Sequence, residues 1–547
     1  MKKIVSILMA AAMVFALAGC TPPEPPTEPT NPTPAPTDPP TEPPTDPTDP
    51  TDPPIVIPAV EGSANVFYQI FVGSFSDSNG DGIGDLRGII NRFDYLNDGD
   101  PLSETSLGIE GIWLTPIFNS PSYHKYDAKD YYTVDPKFGT EEDLKELIDL
   151  AHSRGVKIIL DLVINHTASS HPWFTEFRKA HIAGDTENPY YDYYSWTDNP
   201  TKNKFGPIGN SGHHYECNFS GSMPELNYDN QEVRQAMVDL AKYYLDLGVD
   251  GFRFDAAKYI YMGDEPRNAE FWQWYMAQLR AIKPDIYTVA EVWDGDGVTI
   301  PYFAATNCFN FSMSQVSGQI ANTAKAGDVN VFTDYTQLYL SRIKEQNTDA
   351  MLISFIANHD MDRAAGFLTV ASGQAKVAAN LLLLSPGSPF IYYGEEIGLK
   401  GSRGGANTDA NRRLAMNWGD GDTVANPEGT TYSSGQTNGT VAEHLTNPES
   451  LFHHYRKLVL IRKANPEIAY GEYQALTVPD SKAGGFLSTW NGNTVAVFHN
   501  TTTRTMTIDL SAVTDVELTA LAAIVGAGAS LEGNILTIEG QTSVVLR

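Results

Sequence analysis

Basic residues are scarce. Lys and Arg number 37 against 67 Asp and Glu, a formal net charge of -30 over 547 residues. Nucleic acids and anionic membrane surfaces recruit basic patches, so neither is an expected partner. A neutral, hydroxyl-rich substrate is compatible with that charge. Cysteine is scarcer still, at 3 residues, too few for a disulfide framework. Beyond the N-terminal run no apolar stretch is long enough to span a bilayer, and no internal repeat recurs. Aromatics are plentiful at 11%, which suits sugar stacking, but they also fill cores and decide nothing alone. The length leaves room for two or three domains.

Residues 1–20 read as a signal rather than as fold. Lys2 and Lys3 precede an apolar run too short for a stable span. The run ends Leu17-Ala18-Gly19-Cys20, which resembles the bacterial lipoprotein cleavage box. That resemblance implies acylation of Cys20 and an extracytoplasmic chain whose only membrane contact is its lipid anchor. Residues 21–58 are mostly Pro, Thr, Asp and Glu, with no basic residue. Such a tract buries no core and reads as an extended linker. Cys217 and Cys308 remain, and two unpaired buried thiols are expected.

Four segments have one form, an apolar run that ends in polar groups. They are Ile158-Ile159-Leu160-Asp161-Leu162-Val163-Ile164-Asn165-His166, Gly251-Phe252-Arg253-Phe254-Asp255, Tyr287-Thr288-Val289-Ala290-Glu291, and Leu352-Ile353-Ser354-Phe355-Ile356-Ala357-Asn358-His359-Asp360. Each reads as a buried strand with its chemistry at the C-terminal end. Residues two apart share a face, so Arg253 and Asp255 point the same way. An arginine there is expected to keep Asp255 ionised near neutral pH.

Helices precede two of these strands. Thr140 with Asp143 three residues on is close to a capping box, and Leu144, Leu147, Ile148 and Ala151 form one stripe. Asp229 with Glu232 reads as the cap of the next helix, which Gly248 ends. Buried strands alternating with helices mean a parallel sheet, either doubly wound or a (β/α)8 barrel. Polar strand ends favour the TIM barrel, whose sites lie on that rim. Val66-Phe67-Tyr68-Gln69-Ile70-Phe71 and Gly111-Ile112-Trp113-Leu114 read as the first two strands. Cys308-Phe309-Asn310-Phe311 and Phe390-Ile391-Tyr392-Tyr393 read as the sixth and eighth. From about residue 466 short alternating runs such as Thr494-Val495-Ala496-Val497-Phe498 predict an antiparallel β-sandwich.

Asp77-Ser78-Asn79-Gly80-Asp81-Gly82-Ile83-Gly84-Asp85 puts oxygen side chains at alternate positions with glycines between. It opens like an EF-hand loop but has Gly88 where that loop needs a bidentate Glu. Other motifs are Tyr123-His124-Lys125-Tyr126-Asp127, Met223-Pro224-Glu225-Leu226-Asn227, Gly394-Glu395-Glu396-Ile397-Gly398, and Arg413 near Met416-Asn417-Trp418.

Together these resemble the signature regions of the α-amylase family, glycoside hydrolase family 13, over about residues 66–418. Chance could supply one such segment, hardly four in series. The Met-Pro-Glu-Leu-Asn form resembles the branch between oligo-1,6-glucosidases and neopullulanases. The resemblance implies a barrel in two parts (59–166 and 227–465), an inserted subdomain (167–226) after the third strand, and a C-terminal domain (466–547). It implies Asp255 as nucleophile, Glu291 as acid/base and Asp360 as the third carboxylate. Tyr126 would be a stacking platform for the sugar, and Lys125 stands where the family has glycine. His166, His359 and Arg413 would bind the sugar at the cleavage point, and Lys258 the leaving side. Arg253 would offset charge around Asp255.

In the oligo-1,6-glucosidase-like branch the first loop holds a structural calcium ion. By that resemblance Asp77, Asn79, Asp81 and Asp85 would ligate through side chains and Ile83 through its carbonyl. Tyr259 replaces a histidine whose carbonyl helps bind a second calcium in many relatives, with Asn165. That site is not expected here. Ala256 after the nucleophile goes with α-1,4 rather than α-1,6 bonds. The implied activity is retaining cleavage of starch and maltooligosaccharides by a monomer. Rival readings are an exo-acting α-glucosidase, a neopullulanase-like enzyme or a transglycosylase. A starch-binding lipoprotein with a dead barrel is a different class, disfavoured because all three carboxylates are present.

Overall fold

The computed structural model describes residues 65–200, 204–325, 327–432 and 438–547. Cys20, the apolar run before it and the 21–58 tract lie outside them. No helix among the described residues is long and apolar enough to cross a membrane.

Eight short strands organise the chain: β1 Phe67–Ile70, β2 Gly111–Leu114, β3 Lys157–Leu162, β4 Gly251–Phe254, β5 Tyr287–Ala290, β6 Asn307–Cys308, β7 Ile353–Phe355 and β8 Ser388–Tyr392. They lie in the order β6-β5-β4-β3-β2-β1-β8-β7, every pair parallel. A parallel bridge from Phe309 to Ile353 joins the two ends, and Asn310 N donates to Ile353 O at 2.9 Å. The result is a nearly closed (β/α)8 barrel. Alternate strand residues fill it: Phe67, Trp113, Ile159, Val289, Phe309 and Ile353 form a separate core. Phe67 stacks between Tyr287 at 4.4 Å and Phe390 at 4.8 Å. Gly111 makes room for that ring, because a Cβ there would collide with it. Residues of the other parity, such as Ile158 and Leu160, pack outward into the helix layer.

The first capping box forms as expected. Thr140 Oγ1 accepts from Asp143 N and the helix runs Glu141–Ser153. The second is shifted by one residue. Asn230, not Asp229, caps the helix Gln231–Asp246, accepting from Glu232 N at 2.8 Å. Asp229 is instead drawn to Arg267 and to Tyr261 OH. The sixth strand is shorter than expected and sits earlier. It ends at Cys308, and Asn310 turns to accept from Met313 N.

Between β3 and Gln231 the chain adds a helix, Pro172–Ala183, which the composition did not foretell, and a small antiparallel sheet of Trp196–Thr197, His214–Glu216 and Phe205–Pro207. The bridge His166–Glu225 ties the end of this insertion back to the barrel rim, and Tyr194–Leu226 ties the same end to its middle. After a short helix, Glu467–Tyr470, the C-terminal part is antiparallel, one five-stranded and one three-stranded sheet. They enclose a core of their own that includes Leu476, Phe498, Ile508, Leu536 and Leu546. Cys217 and Cys308 are buried and unpaired.

A pair of acids is buried beyond β8. Glu395 accepts from Tyr455 OH at 2.9 Å, and Glu396 from Tyr68 OH at 2.7 Å and Tyr95 OH at 2.6 Å. Burial pushes the Glu395 carboxyl up to about 8 from an ordinary 4.5. An acid raised in the folded state stabilises fully below its unfolded pKa, and the contribution fades as pH climbs to the folded one. The window here runs from about 4.5 to about 8. Glu395→Gln keeps the shape without the titration, so its unfolding temperature should gain on the parent between pH 5 and pH 9. A gap that stays constant across that range would refute the assignment.

Candidate active site

The centre of the site is one buried arginine. Registers place Arg253 of β4 beside Asp161 on β3 and Val289 on β5. Asp255 and Glu291 each follow the last residue of their strands, and Glu291 N donates to Phe254 O at 2.9 Å. Arg253 Nη1 donates to Asp161 Oδ1 and to Asp255 Oδ1, both at 2.7 Å. Its Nη2 pairs with Glu291 Oε2 at 2.8 Å. One guanidinium thus spans three carboxylates, and the two acids proposed from sequence meet across it. Arg253 is 0% exposed, Asp255 8% and Glu291 9%, so these contacts work in a low dielectric.

Arg253 lowers the Asp255 carboxyl, as expected of an arginine on the same face, but burial works against it. Burial pushes both carboxyls above their ordinary range, and Arg253 pulls both back. Asp360 pushes both up, Asp255 also pushes Glu291 up, and hydrogen bonds pull each back, that of the Glu291 side chain on Asp255 and that of Ala256 N on Glu291. The two carboxyls therefore titrate as one coupled pair, each responding to the charge of the other.

The third carboxylate faces them from β7. Asp360 Oδ1 accepts from Arg413 Nη2 at 2.7 Å, and Oδ2 lies 3.0 Å from His359 Nε2. Burial opposes its charge, but His359, Arg413 and Arg253 hold it well below the carboxylate range. His359 Nδ1 lies 2.7 Å from Gln69 Nε2, so it is the acceptor and Nε2 carries the proton. Tyr126 OH stands 2.6 Å from that Nε2 and donates to Asp161 Oδ2 at 2.7 Å. Its ring lies parallel to the His359 ring at 5.2 Å. The residues form one continuous network from Asp161 through Tyr126 and His359 to Asp360 and Arg413.

The network floors a cavity of about 1480 Å3, lined also by His166, Phe219, Ala256, Lys258 and Trp293. That volume holds several sugar rings rather than one small metabolite. His166 Nε2 is buried and has no hydrogen-bond partner among the described residues, so it can meet a ligand hydroxyl. Phe219 and Trp293 are exposed, and Trp293 stacks on Phe311 at 5.1 Å. Lys258 is at the rim but tethered, its Nζ donating to Trp293 O at 2.8 Å and Asp294 Oδ2 at 3.0 Å. The sequence reading assigned no role to Asp161 or Gln69. A lone aspartate in an apolar strand was the available signal for Asp161, and Gln69 gave none.

Lys125, which stands where the family has glycine, takes the left-handed φ of 65° that glycine favours. Its side chain is buried and pairs with Asp135 at 2.6 Å, which offsets the strained backbone. Asn165 Nδ2 donates to Glu225 Oε2. In the Asp77 loop Asp77 accepts from Asn79, Gly80 and Gly82 N, Asn79 from Asp81 N, and Asp81 from Ile83 N. Asp85 Oδ1 caps the next helix at Gly88 N. No group of three or more His, Cys, Asp or Glu among the described residues is placed to hold a metal. A cation here would therefore depend on the Asn79 amide and Ile83 carbonyl as well. That oxygen-only donor set suits a hard ion such as calcium.

Residues 69–471 match the family model described as "Alpha amylase, catalytic domain". The chain is 36% identical over 450 residues to Alpha-amylase 3 of Dictyoglomus thermophilum, covering 80% of this chain and 84% of that protein. Among solved structures it is similar to Eubacterium rectale Amy13B, with a TM-score of 0.83 and 30% identity over 89% of this chain and 96% of that one. It is also similar to the alpha-amylase from H. orenii, with a TM-score of 0.77 and 36% identity over 88% of this chain and 98% of that one.

Proposed function

Because the chain belongs to the α-amylase family of glycoside hydrolases, we propose that it cleaves α-1,4-glucosidic bonds of starch and maltooligosaccharides, retaining configuration at the anomeric carbon. The observation that carries this reading is the shared contact of Asp255 and Glu291 with Arg253. Retention needs two carboxyl groups close enough for a covalent intermediate, and a common guanidinium keeps them so. Glu291 gives its proton to the glycosidic oxygen as Asp255 attacks the anomeric carbon. Asp255 Oδ1 is bonded to Arg253, which leaves Oδ2 to form the glycosyl ester. Water then attacks that carbon, Glu291 takes its proton, and the ester breaks. Asp360, kept ionised by Arg413 and His359, offsets positive charge that develops on the ring.

The small Ala256 side chain at the cavity wall leaves room for a leaving sugar linked through its 4-hydroxyl. Side-by-side digestion of amylose, pullulan and isomaltose tests the linkage and mode of attack. Amylose should give mixed maltooligosaccharides early, with isomaltose untouched. Glucose as sole early product would make the enzyme exo-acting, and fast pullulan or isomaltose cleavage would overturn the α-1,4 assignment.

We further propose that the Asp77 loop holds a structural calcium ion with no part in the chemistry. Residues Thr423 and Asp422 bond to Asp77, so an ion there would tie two distant segments together. Chelation should lower the unfolding temperature and excess calcium restore it, by mass action on the folded state. An unfolding temperature insensitive to chelator removes calcium from the account.

A further inference from the structure

Ala256 follows Asp255 with φ 50° and ψ 38°, the left-handed region. A residue with a Cβ is disfavoured there and persists only where its surroundings enforce the conformation. They do so here. Trp272 Nε1 donates to Ala257 O at 2.8 Å. Asn268 Nδ2 donates to Lys258 O at 2.8 Å and Tyr261 O at 3.0 Å, while its Oδ1 accepts from Tyr261 N at 2.9 Å. Both side chains are buried on the helix Glu265–Ile282, so that helix grips the turn.

Successive N–H groups of an extended strand point to opposite sides. A left-handed residue brings its own N–H and the next to the same side, as in anion-binding nests. Both of these reach Glu291. Ala256 N donates to Glu291 Oε2 at 3.1 Å, and Ala257 N donates to Glu291 O at 3.0 Å. Arg253 Nη2 lies on the same Oε2 at 2.8 Å. An oxygen that accepts from two donors has no place for a proton of its own, so the acidic proton is left to Oε1.

We propose that the left-handed backbone at Ala256 is a positioning device for Glu291, turning two N–H groups onto that residue and confining the acidic proton to Oε1. The inference rests on Glu291 being the proton donor. A loosened turn would let the proton reach either oxygen, so that less of it is held in one place for the leaving group.

The test removes the N–H while keeping every side chain, by replacing the Asp255–Ala256 amide with an ester in the full chain. Protonation matters for maltooligosaccharides, whose leaving group is a poor one, and hardly at all for α-maltosyl fluoride. The ester enzyme should lose ~10-fold or more in kcat on maltooligosaccharides but less than ~3-fold on the fluoride. Losing a donor to the ionised carboxylate raises its pKa, so the high-pH limb of kcat/KM should move upward. Trp272→Phe, which drops the indole N–H together with the five-membered ring that carries it, should show a smaller split of the same kind if the ester enzyme folds poorly, a split that lost packing alone would not produce. Equal losses on both substrates, or no loss on either, would overturn the proposal. Glu291→Gln is the control: without a split there, the proton-donor assignment itself fails.

Discussion

Asp255→Asn is expected to lower kcat on maltooligosaccharides by at least ~10²-fold with the fold retained. The amide is nearly isosteric and can still accept from Arg253 Nη1, which now meets Asp255 at 2.7 Å. It cannot form the glycosyl ester. Asp255 is 8% exposed and carries its charge against a burial penalty, so removing that charge should leave the unfolding temperature unchanged or raise it. Glu291→Gln should lose a comparable factor for a different reason, since no proton reaches the leaving oxygen. Turnover near the parent's in either variant, with circular dichroism showing an intact fold, would end the two-acid assignment.

Removing Arg253 should cost most in stability. Arg253→Met strands Asp161, Asp255 and Glu291 in the barrel without the cation they share. Deleting one member of a buried ion pair costs about 3–5 kcal/mol, because the partner remains as an uncompensated charge. Arg253→Lys should restore only part of this, since a point ammonium cannot fork to three carboxylates. The pH dependence has a definite sign. Arg253 lowers the folded-state pKa of Asp255 and Glu291, and losing it raises them. The deficit should therefore shrink in acid, where these carboxyls are protonated in both states, and widen as pH rises. Urea unfolding at two pH values measures it. A Met variant as stable as the parent at neutral pH would mean that the arginine is an ornament.

What could be read from the chain was what is local. The four strand-end segments carry their polar residues in sequence, so Asp255, Glu291, Asp360 and His359 could be grouped before any geometry was known. The barrel followed from buried strands alternating with capped helices. What could not be read depended on burial or on distant partners. The pull of Arg253 on Asp255, two residues away, was legible, but the opposing desolvation is a property of the whole rim. Gln69 fixes the His359 tautomer from another strand, 290 positions away. The helix cap fell on Asn230 rather than Asp229 because either can cap, and Arg267 claimed the aspartate. Lys125 could be seen to replace a glycine, but not that Asp135 would compensate for it.

The join between β6 and β7 gives the molecule a clasp. β6 is two residues long and meets its far neighbour through a single bridge, while β3, β4 and β5 are continuously laddered. Glu291 stands on one side of the clasp and Asp360 on the other. If thermal agitation parts the ring anywhere first, it parts there, and the jaw bearing Asp360 and Arg413 swings away from the jaw bearing both acids. Heat would then silence the enzyme reversibly before it melts the helices.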